Sequence, residues 1–136
     1  MTIRVDPSRA TPPSRQLVEG VLDAIACGDW AEGDRLPSVR GLAAEALVNP
    51  NTVGKAYREL EMLGVVAGRN GSGVYVTPEG PDLARTERRK ATLDGLAAAV
   101  DAALAAGHDA ALLRAAIESR LGSAPGKDGG TRRRAS

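Results

Sequence analysis

Between Leu36 and Val76, two short apolar-striped segments run into two β-branched triplets set around a glycine cluster. Ser38 stands behind Pro37 and caps the first segment. Its apolar positions Val39, Leu42, Ala43, Ala46 and Leu47 recur at helical spacing and predict one buried face. Asn49 then precedes Pro50. A capping amide followed by a proline is a strong helix start, because the ring presets helical φ and the missing N–H is one the first turn leaves unpaired anyway. The helix so opened carries Val53, Ala56, Tyr57, Leu60 and Leu63 on one stripe, and Gly64 closes it. Val65-Val66-Ala67 and Val74-Tyr75-Val76 read as strands around a turn of Gly68, Asn70, Gly71 and Gly73, hence a hairpin.

Two short helices joined by a tight turn and followed by a two-stranded ribbon predict a winged helix-turn-helix, mainly α with a small β-wing. Upstream, Thr11 or Ser14 is placed to cap a first helix, with Pro12 and Pro13 tolerated in its first turn. Leu17, Val18, Val21, Leu22 and Ile25 form its stripe, and Gly28 ends it. Ile3-Arg4-Val5 alternates like a short strand, and Trp30 is expected to fold back from the following loop as a core anchor. Downstream, Thr77 to Pro81 reads as a linker. A long Ala-rich helix from roughly Leu83 to Ala106 follows, with Leu93, Leu96, Val100 and Leu104 on one face. Gly107 stops it, and Asp109 caps a last helix presenting Leu112, Leu113, Ala116, Ile117 and Leu121. The predicted organisation is a winged domain over residues 1–78, a helical hairpin over 79–121, and a disordered tail of Gly, Ser and charge over 122–136.

Several function classes are excluded by what the chain lacks. One cysteine rules out an internal disulfide and a cysteine-cluster metal site; Cys27, beside apolar residues, is expected to be a buried structural thiol. The single histidine, His108, cannot build a histidine cluster. Gly68-x-x-Gly71-x-Gly73 joins two strands, whereas a phosphate loop follows a strand and opens a helix. No nucleophile, base and oxyanion set assembles, so neither an enzyme nor a cofactor is expected. The N-terminus has no apolar h-region and no apolar run approaches a membrane span, so the expected location is the cytoplasm. Net charge is only +1, and residues 1–78 hold eight Lys/Arg against nine Asp/Glu. Bulk charge therefore does not draw this chain to nucleic acid. Only the placement of individual cations can do so.

That placement is favourable. At 100° per residue, with Val53 buried, Asn51, Lys55, Arg58 and Met62 fall on the opposite face of the second helix of the pair. Asn reads adenine bidentately, while Lys and Arg pair with phosphate or guanine. Thr52 flanks this face near the helix start, where base contacts concentrate. Arg40 lies off the apolar stripe of the preceding helix, placed to grip a phosphate backbone. Arg69, Asn70 and Gly71 sit at the hairpin tip, positioned for an adjacent minor groove. Double-stranded DNA is the predicted partner.

The stretches Gly28-x-Trp30-x-x-Gly33-Asp34-Arg35-Leu36-Pro37-Ser38-x-Arg40-x-Leu42-Ala43, Val48-Asn49-x-Asn51-Thr52-Val53-x-Lys55-Ala56-Tyr57-x-x-Leu60-Glu61-x-x-Gly64 and Gly71-x-Gly73-x-Tyr75-Val76 resemble the DNA-binding domain of the GntR family of bacterial transcription regulators. The resemblance covers residues 3–77. It implies that Arg40, Asn49, Asn51, Thr52, Asn70 and Gly71 contact DNA. Many members carry arginine where this chain has Gly54, a departure that removes one phosphate or base contact. Members usually continue into a large effector domain, yet 58 residues follow Pro78 here. Two helices are not expected to enclose a metabolite pocket on the order of several hundred Å³. The short tail is similar to the YtrA-type subgroup, in which two C-terminal helices serve dimerisation. The periodicity agrees: the stripe of Leu93, Leu96, Val100 and Leu104 and that of Leu112, Leu113, Ile117 and Leu121 leave more apolar surface than an isolated hairpin buries. Pairing two copies covers it and sets two recognition helices about one DNA turn apart. The expected protein is a homodimeric repressor on an inverted-repeat operator, with no small-molecule effector identified by the sequence. The competing class is a protein-interaction adaptor built on a winged helix.

Overall fold

The computed structural model describes residues 2–122. Among these, α1 (Pro13–Ala26), α2 (Val39–Ala46), α3 (Pro50–Met62), β1 (Val66–Arg69), β2 (Gly73–Val76), α4 (Gly80–Ala105) and α5 (Ala110–Gly122) follow in order. They form two compact units, the first ending at Thr92 and the second beginning at Leu93. This is the predicted mainly helical architecture with one small antiparallel wing.

The first unit is organised around α1 and α3, which pack against each other, with α2 packed on α3. Leu17, Val18, Val21, Leu22 and Ile25 of α1 meet Leu42 of α2, Val53 and Leu60 of α3, and Val65, Val66 and Val76 of the wing in a single core. Helical spacing in α1 places its apolar residues on one face, and removing that face from water is what holds a helix of this length in place. The start of α1 differs from expectation. Pro12 is the N-cap and has no side chain able to accept, so neither Thr11 nor Ser14 caps the helix. Buried Gln16 instead fastens the arm ahead of it: its Nε2 donates to the carbonyls of Asp6 and Thr11, both at 2.9 Å, while its Oε1 accepts from the Asp6 N–H at 2.8 Å. Ile3 is not in a strand. It is buried against Gly20 of α1, where an added Cβ would lie 3.0 Å from the Ile3 Cγ2.

Two further residues depart from the sequence reading. Leu47 was expected on the inner face of α2, yet it is 88% exposed. The chain turns there, with Leu47 in the left-handed region at φ 60°, and the N–H groups of Leu47 and Val48 both close on the Ala43 carbonyl. That C-cap geometry swings the side chain out of the helical stripe, and periodicity alone does not register it. Cys27, at the end of α1, is exposed and not buried, because the helix finishes before its side chain reaches the core. Trp30 does pack against the core, half-buried.

The wing pairs Val66 with Val76 and Arg69 with Gly73 across its antiparallel ladder. A third segment joins it. Arg35 forms a β-bridge with Tyr75, the Leu36 N–H donates to the Val74 carbonyl at 2.8 Å, and the Val76 N–H donates to the Asp34 carbonyl at 2.9 Å. This pairing covers an edge of β2 that would otherwise be open.

Thr77 to Pro81, read from sequence as a linker, is a packed joint. The Thr77 hydroxyl donates to the Gly64 carbonyl at 2.7 Å, and its N–H donates to the Val65 carbonyl at 3.0 Å. The helix α4 begins at Gly80, which is buried: a Cβ there would sit 2.5 Å from the Val65 carbonyl oxygen and 2.9 Å from the Val76 Cγ1. One turn on, Ala84 is fully buried, and Arg88 reaches Asp23 of α1 at 2.6 Å. The early turns of α4 therefore complete the winged unit.

In the second unit, Val100, Leu113 and Ile117 are half-buried where the later part of α4 faces α5. Leu93, Leu96, Leu104, Leu112 and Leu121 are exposed. The space along the seam is an open apolar groove of about 350 Å³ bordered by Leu96, Ala116, Ile117, Arg120 and Leu121, and it is not enclosed. Apart from Gly122, which ends α5, the predicted tail and its Arg132-Arg133-Arg134 run lie outside the described residues.

Gly80→Ala is expected to cost about 1–3 kcal/mol, since the obstacle is backbone and not a yielding side chain. Urea unfolding of the full chain would check this; a midpoint equal to wild type would mean the joint has slack.

Candidate nucleic-acid interface

The candidate surface is built on α3, which neighbours hold on several sides. Val53, Ala56, Tyr57 and Leu60 are its buried residues. The Tyr57 hydroxyl donates to the Pro37 carbonyl at 2.7 Å, tying α3 to the entrance of α2. Burial, with the nearby Glu45 charge adding to it, raises the Tyr57 hydroxyl well above its ordinary range, so it remains a donor at any physiological pH. Arg15 of α1 pairs with Glu59. At the other end, the Glu61 carboxylate accepts the Gly68 N–H of the wing at 3.2 Å, which sets β1 against α3.

With the inner face so fixed, the outer face is determined. Asn51, Lys55 and Arg58 are exposed along it, and Thr52 is half-buried beside them. Asn49 is exposed and acts as the predicted N-cap: its Oδ1 accepts the Asn51 N–H at 2.7 Å, which leaves its amide NH₂ for an outside acceptor. Arg40 is exposed in the first turn of α2. Arg69, Asn70 and Gly71 are exposed at the hairpin tip. There the Ser72 N–H donates to the Arg69 carbonyl at 3.0 Å, and Gly71 takes a φ of 71°, which glycine adopts without strain.

Arg9 and Arg15 pair with Glu19, Arg15 also with Glu59, and Arg88 with Asp23. Among the described residues, Arg40, Lys55, Arg58 and Arg69 have no ion-pair partner. A unit with twelve Lys/Arg against twelve Asp/Glu, and so no bulk positive charge, still presents unpaired cations around α3, where each is free to meet a phosphate.

Two features of this surface were not legible in the sequence. Arg58 lies beside Gly54 on α3: an added Cβ at Gly54 would lie 3.5 Å from the Arg58 Nη1, in ordinary van der Waals contact. The i, i+4 spacing was the available signal. Arg35, outside the helix pair, enters the wing through its bridge to Tyr75, a long-range pairing that local pattern does not reveal.

A three-helix core carrying an N-capped helix with a bare cationic outer face, followed by a two-stranded ribbon, defines the winged helix-turn-helix class of regulators. Residues 13–76 match the model of the bacterial regulatory proteins of the gntR family. The chain is similar to YtrA from Sulfolobus acidocaldarius, a GntR-family transcription factor, at 32% identity and a TM-score of 0.56, over 71% of this chain and 99% of that one. The chain belongs to the GntR family. It is also similar to a GntR family transcriptional regulator from Listeria monocytogenes, at 26% identity and a TM-score of 0.67, covering 85% of this chain and 98% of the other. With the HTH-type transcriptional repressor YtrA of Bacillus subtilis (strain 168) it shares 41% identity over 75 residues, 55% of this chain. That match spans 58% of the curated relative's length.

Because Asn49 serves as a cap, its effect on folding is separable from any effect on binding. Asn49→Ala is expected to lower stability by about 1 kcal/mol without any ligand, whereas Asn49→Ser, an equally good cap, stays near wild type. Chemical denaturation of the two variants side by side checks this, and equal midpoints would show that the Oδ1 contact does not work as a cap.

Proposed function

We propose that this chain is a sequence-specific, DNA-binding transcription regulator of the cytoplasm that acts as a homodimeric repressor on an inverted-repeat operator. The observation that carries the reading is the solvent-facing set around α3: the cations Arg40, Lys55 and Arg58, which have no ion-pair partner among the described residues, with Asn49, Asn51 and half-buried Thr52, and Arg69, Asn70 and Gly71 on the wing. In this arrangement α3 enters the major groove, its N-terminal residues meet base edges, and Arg40 and the wing hold the flanking phosphates. Repression follows from occupying a promoter, and the repressor named among its relatives, YtrA of Bacillus subtilis, supports that sign.

The dimer reading rests on the second unit. Leu93, Leu96 and Leu104 leave 66%, 49% and 47% of their surface exposed on α4, close to half-buried Val100, Leu113 and Ile117. A second copy related by a two-fold axis would cover the same patch on both chains and give the recognition helices the symmetry of an inverted repeat.

Selection of bound sequences from a random duplex pool, at two salt concentrations, tests the function as a whole. An enriched palindrome is expected; a pool that stays random would favour a protein-interaction adaptor instead. Arg40→Ala should weaken operator binding by about 1–3 kcal/mol in a gel-shift titration. Unchanged affinity would remove Arg40 from the interface. The double variant Leu96→Glu with Leu104→Glu alters only exposed positions and should sediment as a monomer with much weaker operator affinity. A dimer that persists would place the interface elsewhere.

A further inference from the structure

One face of the wing carries a second pair of cations, and only one of them, Arg69, lies at the tip. Arg69 on β1 stands opposite Gly73 on β2, and Arg35 stands opposite Tyr75 across the isolated bridge. Residues directly opposite in an antiparallel pair project to the same side, as do residues two apart on one strand. Arg69, Gly73, Tyr75 and Arg35 therefore share one face, with β2 running between the two arginines. The contacts agree with this placement. The Arg69 guanidinium carbon lies 4.2 Å from the centre of the Tyr75 ring. The Arg35 guanidinium lies over Gly73, where a Cβ would come within 2.7 Å of its Nε and 3.3 Å of its Cζ and Nη2.

Gly73 is thus required twice. Its φ of 126° is open to glycine and strained for other residues, and its bare Cα leaves the space that the Arg35 guanidinium occupies. The Tyr75 ring is held in turn, its hydroxyl donating to the Ser72 carbonyl at 3.2 Å. The Arg69 guanidinium lies over the Tyr75 ring and the Arg35 guanidinium packs closely on Gly73, and neither has a carboxylate partner among the described residues. A guanidinium stacked by its face keeps its N–H edge for an outside acceptor, and the geometry of that edge suits a phosphate.

We infer that Arg35 and Arg69, propped on Gly73 and Tyr75, form a clamp for the sugar–phosphate backbone of the duplex beside the α3 groove. This rests on the DNA-binding reading above and deepens it by assigning Arg35 to the interface. The Glu61 bond to Gly68 ties the wing to α3, so the clamp is placed relative to the recognition helix and not on a loose loop. A clamp of this kind contributes affinity and register. Base choice stays with α3.

The test uses the full chain and two short duplexes, a selected operator and a scrambled sequence, titrated at several salt concentrations. Arg35→Gln is expected to reduce the slope of log affinity against log salt by about 1, the signature of one lost phosphate contact, and to weaken both duplexes to the same degree. Arg35→Lys is expected to restore the slope, since a phosphate accepts either cation. The melting temperature of each variant, measured alongside, separates a folding defect from a lost contact. An unchanged slope in Arg35→Gln would overturn the clamp, as would a loss confined to the operator, which would mean base reading by Arg35, or a slope that Arg35→Lys leaves unrestored. A wild-type chain that fails to distinguish operator from scrambled duplex would sink the sequence-specific reading while leaving the salt slope of Arg35→Gln measurable.

Discussion

The burial of one stripe of α3 is the constraint on which the rest depends. Val53, Ala56, Tyr57 and Leu60 remove that stripe from water against α1 and α2, and a helix of this length holds its shape in water through such packing far more than through its own propensity. Once the inner face is committed, 3.6-residue geometry leaves no freedom in the outer one. Asn51, Lys55 and Arg58 face solvent because Val53 and Leu60 cannot. The polar ties of α3, Tyr57 from its middle to the Pro37 carbonyl and Glu61 from its last turn to the Gly68 amide, then fix where the entrance of α2 and the wing lie around that face.

The charge pattern follows from the same arrangement. Acidic and basic side chains are equal in number in the winged unit, so bulk charge gives it no pull on a polyanion. Folding separates them. Glu19, Glu59 and Asp23 are taken up by arginines of α1, the N-terminal arm and α4, while the cations around α3 and the wing keep their charge outward. Local placement and not net charge decides what such a surface attracts, because screening in water confines each charge to its own neighbourhood of about 10 Å.

Much of this was legible in order along the chain. Asn49 and Pro50 announced α3, Ser38 announced α2, and the glycine cluster announced the hairpin, because caps and turns are local chemistry read within a few residues. The elements that were misread depend on distant partners. Leu47 fits the α2 stripe by spacing, but the left-handed cap turns it outward. Thr77 and Gly80 carry the composition of a linker, yet the Val65 carbonyl and Val76 close on them. Cys27 sits among apolar residues in sequence and outside them in space. Gln16 gave no signal at all, since its bonds run to the backbone of the preceding arm.

By itself the sequence determined the helices and the hairpin, their order, and the cation-bearing face of α3, since each follows from side-chain periodicity and end signals within one segment. Only the tertiary structure decided which cations stay unpaired, that α4 is welded to the wing at Gly80, and that Arg35 joins Arg69 on one face of β2. Those outcomes depend on contacts between residues far apart in the chain, such as Arg35 with Tyr75 or Arg88 with Asp23. Such pairings are set by the close packing of whole elements, and no local pattern encodes them.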